Sequence, residues 1–251
     1  MYISFFRNMT GIFICSAISA TAAINVPLQN ATATFSQNLA GYSATETIDG
    51  IISGHSTSWA IGRNFQGPIL PEAIVWETVT SPLALQGTEY TFNIYHQELS
   101  VAGNVGLGKF RLSYTIDDRY SFADGFVRGG NVYANWNVID PLTYTSTGTE
   151  TITRLPDSSL LVSGGDANHS SDYTVTALIP TTGITGFRLE ALQDFRLPAG
   201  GPGLDPFGNF YLSEFVVSIP EPISVLTMFL GMAIFIKRKS LKISRIRLIR
   251  D

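Results

Sequence analysis

The chain has 251 residues, of which 45% are hydrophobic and 14% charged, and its one cysteine is Cys15. Between Ala23 and Pro222, eight Lys and Arg stand against nineteen Asp and Glu, so this body of the chain has a formal charge of −11. The charge excludes nucleic acid as a partner, because phosphate binding needs concentrated positive charge. A body of about 200 residues is long enough for one large domain or two small ones.

The first 22 residues have the features of a signal peptide. Arg7 supplies a positive charge, the uncharged apolar stretch 11–20 follows, and Ala20-Thr21-Ala22 offers the small residues that a signal peptidase reads. We expect cleavage directly after this motif or one residue later, and we expect residues 23–30 to be a linker. Because the only cysteine lies in the leader, the exported chain would contain no disulfide.

The body is predicted to be β throughout. Short runs of alternating or β-branched residues recur between clusters of Gly, Pro, Asn and Asp, without the 3.6-residue apolar period of a helix. Nine strands are predicted, at 31–36, 73–80, 89–95, 109–116, 149–154, 159–162, 173–178, 185–192 and 210–218. This pattern favours an all-β sandwich or jelly roll over residues 31–218.

Residues 219–251 combine a Pro-Glu-Pro triplet, an apolar run and a basic cluster. Pro220-Glu221-Pro222 precedes the run 223–236, and Lys237-Arg238-Lys239 follows it. As a helix, these fourteen residues would measure about 21 Å, so they form a marginal span of a hydrocarbon core about 30 Å thick. The positive-inside bias places the basic cluster in the cytoplasm and the body outside the inner membrane.

This arrangement resembles the PEP-CTERM sorting signal of exported bacterial envelope proteins. The resemblance implies cleavage near the triplet by an exosortase-type transpeptidase, and transfer of the body to the cell surface or extracellular matrix. An ordinary C-terminal anchor that is never cleaved is the alternative, although such an anchor does not require the triplet. Twelve residues follow Lys239, whereas these signals usually end soon after their basic cluster.

The body carries a second resemblance. Residues 31–36, Thr47-Ile48-Asp49-Gly50 and Ser58-Trp59-Ala60-Ile61 look like the opening of discoidin, or F5/8 type C, domains, and residues 208–217 resemble their closing strand. The resemblance implies a galactose-binding-like jelly-roll β-sandwich. It covers the body only in islands, and residues 120–147 have no counterpart in it.

The same resemblance implies one structural calcium ion. Its ligands would be Asp49 in the early loop and Glu214 near the closing strand. Ser56 or Thr57 and loop carbonyls would complete the shell, since calcium takes about six to eight oxygen ligands. The alternative is that the Asp49 loop is only a turn, because Asp and Gly both favour turns.

Carbohydrate binding is a further candidate function. Aromatic faces stack on pyranose rings, while polar side chains hydrogen-bond the sugar hydroxyl groups. Tyr133, Asn135 and Trp136 in a polar segment, together with Phe207 in a Gly-rich loop, are the candidate ligand-binding residues. The alternative is that Trp136 belongs to the core, as we expect of the other two tryptophans.

Catalysis is not predicted. The three histidines show no metal-ligand spacing, and no Gly-x-Ser-x-Gly elbow occurs. Glycoside hydrolysis needs two carboxyl groups about 5 to 9.5 Å apart, for which Glu98 with Asp117 or Asp118 is the available set. We therefore predict an exported, non-catalytic β-sandwich that binds polysaccharide. The alternatives are a structural matrix protein without specific sugar binding and a glycan-cleaving enzyme.

Overall fold

The computed structural model describes residues 22–37, 41–62, 69–99, 103–126 and 130–221. Within them, three short 3₁₀ helices span Ala44–Ile48, Arg119–Ser121 and Pro198–Gly200. The strands of these residues are β1 Ala23–Asn25, β2 Leu28–Ala33, β3 Ser53–Gly54, β4 Trp59–Ala60, β5 Glu72–Thr78, β6 Thr88–Tyr95, β7 Gln97–Glu98, β8 Lys109–Thr115, β9 Asn137–Val138, β10 Thr143–Ser146, β11 Glu150–Arg154, β12 Leu160–Gly164, β13 Tyr173–Ile179, β14 Gly186–Ala191, β15 Tyr211–Leu212 and β16 Glu214–Pro220.

Twelve of these strands build a sandwich of two antiparallel sheets, while β4 pairs with β15 and β3 pairs in parallel with β7 in two small sheets. One sheet has five strands in the order β1-β16-β6-β13-β10, and the other follows the order β11-β12-β8-β14-β5-β2 with β9 beside β8. Strands β5, β6 and β8 lie in alternate sheets, as do β12, β13, β14 and β16, which is the pattern of a jelly roll. The prediction of an all-β jelly-roll sandwich is therefore confirmed.

All nine predicted strands are present, but the last one is divided. Ser213 separates β15 from β16, and its hydroxyl accepts a hydrogen bond from the backbone N–H of Gln97 at 2.8 Å. Strand β10 was not predicted, because four residues of Thr-Tyr-Thr-Ser are too short and too polar to show a clear alternation.

Residues 23–30 are not the linker that the sequence predicts. They contain β1, which pairs with β16 at the edge of its sheet and places Ala23 opposite Pro220. They also contain the start of β2 at Leu28. The sandwich therefore extends beyond 31–218 in both directions, and β16 includes the first residue of the Pro-Glu-Pro triplet.

Aromatic residues from both sheets fill the core. Trp76 on β5 stacks on Phe215 of β16 with ring centroids 4.0 Å apart and planes at 8°. Phe92 of β6 meets Phe187 of β14 edge-on at 5.5 Å. These side chains are fully buried, as is Trp59, so the prediction that Trp59 and Trp76 are core residues is confirmed.

The registers define two ends of the sandwich. At what we name the terminal end, β16 finishes at Pro220, and loop 79–87 joins β5 to β6. The end of β8 and the start of β14 also lie there, since Gly186 is opposite both Glu77 and Thr115. At the distal end, Glu214 begins β16 opposite Tyr95.

Several sequence predictions fall on residues that the structure does not describe. They are residues 1–21 of the signal peptide, the apolar run 223–236, and the sorting-motif residues Pro222, Lys237, Arg238 and Lys239. Within the described ranges, no helix has both the length and the apolar character needed to cross a bilayer.

Candidate functional site

The Asp49 loop meets Glu214 at the distal end. The backbone N–H of Gly50 donates to Glu214 Oε2 at 3.2 Å, across 164 positions of sequence. Asp49 Oδ1 accepts a hydrogen bond from the backbone N–H of Ile51 at 2.7 Å, which closes a local turn. The structure thus brings the two predicted calcium regions together, while the Asp49 carboxylate also serves the turn.

Glu214 is electrostatically unusual. Its side chain is buried, and this burial raises its pKa to about 7. The Gly50 hydrogen bond opposes the shift, and the negative charge of Asp49 adds to it. A cation beside the two carboxylates would favour the ionised form of Glu214.

Ser56 and Thr57 are organised by a different carboxylate. Their backbone N–H groups donate to the two oxygens of Glu98 at 2.8 and 3.1 Å, and Ser58 Oγ donates to the same side chain at 2.9 Å. Glu98 is buried and anchors the loop that ends at Ser58. The sequence holds no clear signal of this role, since a single Glu after a strand has many uses.

The oxygen atoms around the Asp49 loop include two carboxylates and one hydroxyl group without a partner. Besides the carboxylates of Asp49 and Glu214, the buried hydroxyl of Thr57 has no hydrogen-bond partner. No group of three or more His, Cys, Asp and Glu side chains in the described part of the chain could hold a metal ion. Calcium would therefore have to take further ligands from hydroxyl groups and backbone carbonyls.

The carboxylates considered for glycoside hydrolysis do not converge. Glu98 follows β6 at the distal end, where it accepts a hydrogen bond from the backbone N–H of Ser56. Asp117 follows β8 at the terminal end and accepts hydrogen bonds from Asn135, at 2.7 Å from the backbone N–H. Asp118 caps the 3₁₀ helix Arg119–Ser121 by accepting from Tyr120 N–H at 3.1 Å.

Trp136 is a packing residue on the outer face of the seven-stranded sheet. Its half-buried ring meets Phe122 edge-on at 5.4 Å, and the Arg188 guanidinium lies 5.2 Å from the ring centroid. Its Nε1 donates to the backbone carbonyl of Val132 at 2.8 Å. These contacts fasten the segment after β8 to the sheet, so Trp136 is not an open stacking platform.

The other predicted sugar-binding residues do not form one site with Trp136. Tyr133 is 82% exposed and Asn135 is tied to Asp117. Phe207 is 59% exposed, but it lies at the distal end, in the loop whose Gly203 pairs with Leu107.

A cleft of about 550 Å³ opens at the terminal end, between the edge of the seven-stranded sheet and the segment after β8. We name it the Tyr120 cleft, because the ring of Tyr120 is 98% exposed at its rim. The residues that line the cleft are mostly polar. They are Gln29, Asn30, Glu77, Asp118, Arg119, Tyr120, Phe122, Ala123, Asp124 and Asn131.

Glu77 is the buried acceptor of the Tyr120 cleft. Gln29 Nε2 and Asn30 Nδ2 both donate to its Oε2, at 3.0 and 3.1 Å, which leaves Oε1 available to a ligand. Asn30 adopts a positive φ of 51° where the pairing of β2 with β5 shifts register. A bulge of this kind redirects side chains at a sheet edge.

The opposite wall of the cleft is fixed to the sandwich. Arg119 donates through Nε and Nη2 to the backbone carbonyl and hydroxyl of Thr78, at 2.8 and 2.9 Å. Asp124 accepts from the backbone N–H of Asn131 at 3.0 Å. The backbone that carries Tyr120 is therefore held in place, while the ring itself is open.

A second cleft, of about 560 Å³, lies at the distal end. Leu161, Leu197 and Leu204 are among its lining residues. The guanidinium of Arg196 also lines it and is paired with Asp194 at 2.7 Å. Because this lining is more apolar than that of the Tyr120 cleft, it offers fewer hydrogen-bond partners to the hydroxyl groups of a ligand.

Sequence reasoning missed the Tyr120 cleft because Tyr120 lies in the segment without a counterpart in discoidin domains. Two signals point to it in retrospect. Asp118 followed by Arg119 and Tyr120 marks a capped turn, and Glu77 is a carboxylate in an otherwise apolar strand.

Neither a protein-family profile nor a curated protein matches this sequence. Among solved structures, the chain is similar to the family 32 carbohydrate-binding module from Streptococcus pneumoniae EndoD, with 12% identity and a TM-score of 0.39. The match covers 79% of this chain and 100% of that module. What this chain binds is therefore inferred from its own side chains.

Proposed function

We propose that this protein is a non-catalytic polysaccharide-binding β-sandwich whose binding site is the Tyr120 cleft. The observation that carries the proposal is the open ring of Tyr120 beside the hydrogen-bonded group of Glu77, Gln29 and Asn30. A pyranose ring fits these groups, because it offers an apolar face to an aromatic ring and hydroxyl groups to polar side chains.

The chemistry of recognition follows from these groups. One face of a pyranose ring would pack on Tyr120, whose stiff side chain offers contact area at a low entropy cost. A sugar hydroxyl would donate to Glu77 Oε1, and hydrogen bonds to a carboxylate are stronger than those between neutral groups. The side-chain amides hold Glu77 in its orientation before the ligand arrives.

The first prediction concerns Tyr120→Ala. We expect this change to weaken binding to a polysaccharide about tenfold, because an aromatic contact contributes about 1 to 1.5 kcal/mol. The melting temperature should stay unchanged, since the ring is 98% exposed. The measurement is titration calorimetry with a polysaccharide selected on a glycan array.

Phe195→Ala is the matched control for this test. Its ring is 90% exposed but follows β14 at the distal end, so binding should be unchanged. An equal loss of affinity in both variants would contradict the assignment to the Tyr120 cleft. Absence of binding to any glycan, with self-association of the purified body, would instead support the structural matrix protein.

We also propose that the chain is exported and sorted through its PEP-CTERM-like tail, with an exosortase-type enzyme and the inner membrane as partners. The N-terminal leader and the charge pattern of the tail support this proposal. The geometry is compatible with it, because Ala23 and Pro220 pair and Glu221 N–H donates to Ala22 at 2.6 Å. Both proposed cleavage sites would thus lie side by side at the terminal end.

The second prediction concerns the mature protein. Mass spectrometry of the envelope or matrix fraction should find a chain that begins at residue 23 or 24 and ends near the triplet. Cleavage there would leave the paired strands β1 and β16 nearly whole. A chain that binds glycan and still carries residues 223–251 would contradict processing and support the uncleaved anchor.

A structural calcium ion at the Asp49 loop is the last part of the proposal. Asp49 and Glu214 would hold it, with the Thr57 hydroxyl as a further candidate ligand. The ion would neutralise the two carboxylates and fix the loop against β16.

A further inference from the structure

The loop between β5 and β6 presents two leucines to solvent. Leu83 is 87% exposed and Leu85 is 82% exposed, while Ala84 between them packs against the core. The base of the loop is held by backbone hydrogen bonds, from Gly87 N–H to Ile179 at 2.9 Å and from Thr88 N–H to the carbonyl of Leu85 at 3.1 Å. We name residues 81–86 the leucine loop. Its backbone is held by these hydrogen bonds, and its two leucine side chains point into solvent.

The leucine loop lies beside the point where the chain leaves the sandwich. Ser218 of β16 is opposite Thr91 of β6, and the same register places Pro220 opposite Glu89, close to the end of the loop. Only Pro222 separates Glu221 from the apolar run 223–236. Since a residue spans at most about 3.5 Å, that run begins within about 7 Å of Glu221.

We propose that the leucine loop docks on the lipid surface while the tail still anchors the chain. The inference rests on the membrane tail of the proposed function. A bilayer has an interfacial region about 5 to 7 Å thick on each side of its hydrocarbon core, so a tail that starts this close holds the terminal end at that layer. Two exposed leucines would enter it and leave water.

The charge of the domain selects the kind of lipid. The body carries a formal charge of −11, and the terminal end includes Asp117, Asp118 and Glu221. Arg119 at the same end is engaged with Thr78. An anionic surface would repel this end, so the loop fits a zwitterionic leaflet through apolar contact.

Docking has a consequence for the Tyr120 cleft. Arg119 Nη2 donates to Ser81 Oγ at 3.3 Å, so one wall of the cleft is joined to the leucine loop. A docked loop turns this part of the cleft toward the lipid headgroups. Release of the tail would then free the loop and the cleft together.

The third prediction tests docking with a fluorescent probe. In the chain from Ala23 to the C-terminus, which contains no cysteine, Gln86→Cys is labelled with an environment-sensitive dye and the protein is placed in phosphatidylcholine nanodiscs. We expect a blue shift and strong quenching by lipids that carry a quencher near the headgroup. Adding Leu83→Ser and Leu85→Ser should abolish both effects and leave the melting temperature unchanged, because both side chains are exposed.

A probe at Phe195→Cys, at the distal end, is the control and should remain unquenched. Equal emission from both probes, in protein that stays with the nanodisc, would overturn docking without affecting the membrane tail. Protein that does not stay with the nanodisc would overturn the anchoring and the docking with it. A blue shift that grows with concentration in tail-free protein without lipid would assign the loop to contact between copies instead.

Discussion

Trp76→Ala is expected to lower the free energy of unfolding by about 3 to 5 kcal/mol. The indole is fully buried and stacks on Phe215, and its Nε1 donates to Thr47 Oγ1 at 2.8 Å. The change removes the stacking contact between the two sheets, opens a cavity and leaves the Thr47 oxygen without this donor. Urea unfolding of the body, residues 23–221, measures the loss.

Trp136→Ala is the matched control for Trp76→Ala. Trp136 is half-buried on the outer face, where it contacts Phe122 and Arg188, so its loss should destabilise the domain less. Because Phe122 lines the Tyr120 cleft, this variant should also weaken glycan binding. Equal losses of stability in the two variants would contradict a core centred on Trp76 and Phe215.

In protein without calcium, we expect the titration of Glu214 to make the free energy of unfolding depend on pH. Its pKa is about 7 in the folded state and close to 4.5 in the unfolded chain, so the folded state binds the extra proton between these values. The associated stability is fully present below about pH 4.5 and is lost as the pH rises through 7. We expect Glu214 to contribute a fall of roughly 2 to 3 kcal/mol across this window.

Glu214→Gln isolates this contribution, because an amide does not titrate in the window. His96 is buried, its Nδ1 contacts the Ser171 carbonyl at 2.8 Å, and burial lowers its pKa. Its titration therefore raises the free energy of unfolding as the pH rises, in the variant as in the wild type. Its effect therefore cancels in the difference between variant and wild type. Urea unfolding in the presence of a chelator, from pH 4.5 to pH 8, provides the comparison, and parallel curves would contradict the role given to Glu214.

Calcium should offset the loss of stability that ionisation of Glu214 causes, since a ligand of the native state stabilises that state by mass action. With excess calcium at pH 7 the melting temperature should rise in the wild type and stay constant in Glu214→Gln. Asp166→Asn, which changes an exposed acid paired with His169, should keep the response. Equal melting temperatures of the wild type in calcium and in chelator would rule out the calcium site.

Strands β8 and β14 were predictable because apolar residues alternate with polar ones along them. Phe110 and Leu112 on β8 alternate with Arg111 in the same way that Phe187 and Leu189 alternate with Arg188 on β14. Alternation shows that each segment is a strand with one apolar face. It does not show that β8 and β14 are neighbours with Leu112 opposite Leu189, because pairing depends on segments far apart in the sequence.

The candidate sites were also predictable only in part from the sequence. The Asp49 loop and Glu214 were connected through a family resemblance. The structure adds that the backbone N–H of Gly50 joins them and that the backbone N–H of Thr57 donates to Glu98. The Tyr120 cleft could not be anticipated as a site, since β2, β5 and the segment after β8 contribute to it together. Single-residue patterns do not reveal which distant polar groups share a cleft.

The sequence alone determined the all-β class, the nine strand-forming segments, the core tryptophans Trp59 and Trp76, and the acidic body, because these depend on alternation, bulk and charge along the chain. Only the tertiary structure decided that Trp136 fastens a segment and that Tyr120 stands open, since exposure depends on what packs against each ring. It also decided that the leucine loop lies beside the exit of the chain. That placement follows from the pairing of β6 with β16, which the local sequence does not encode.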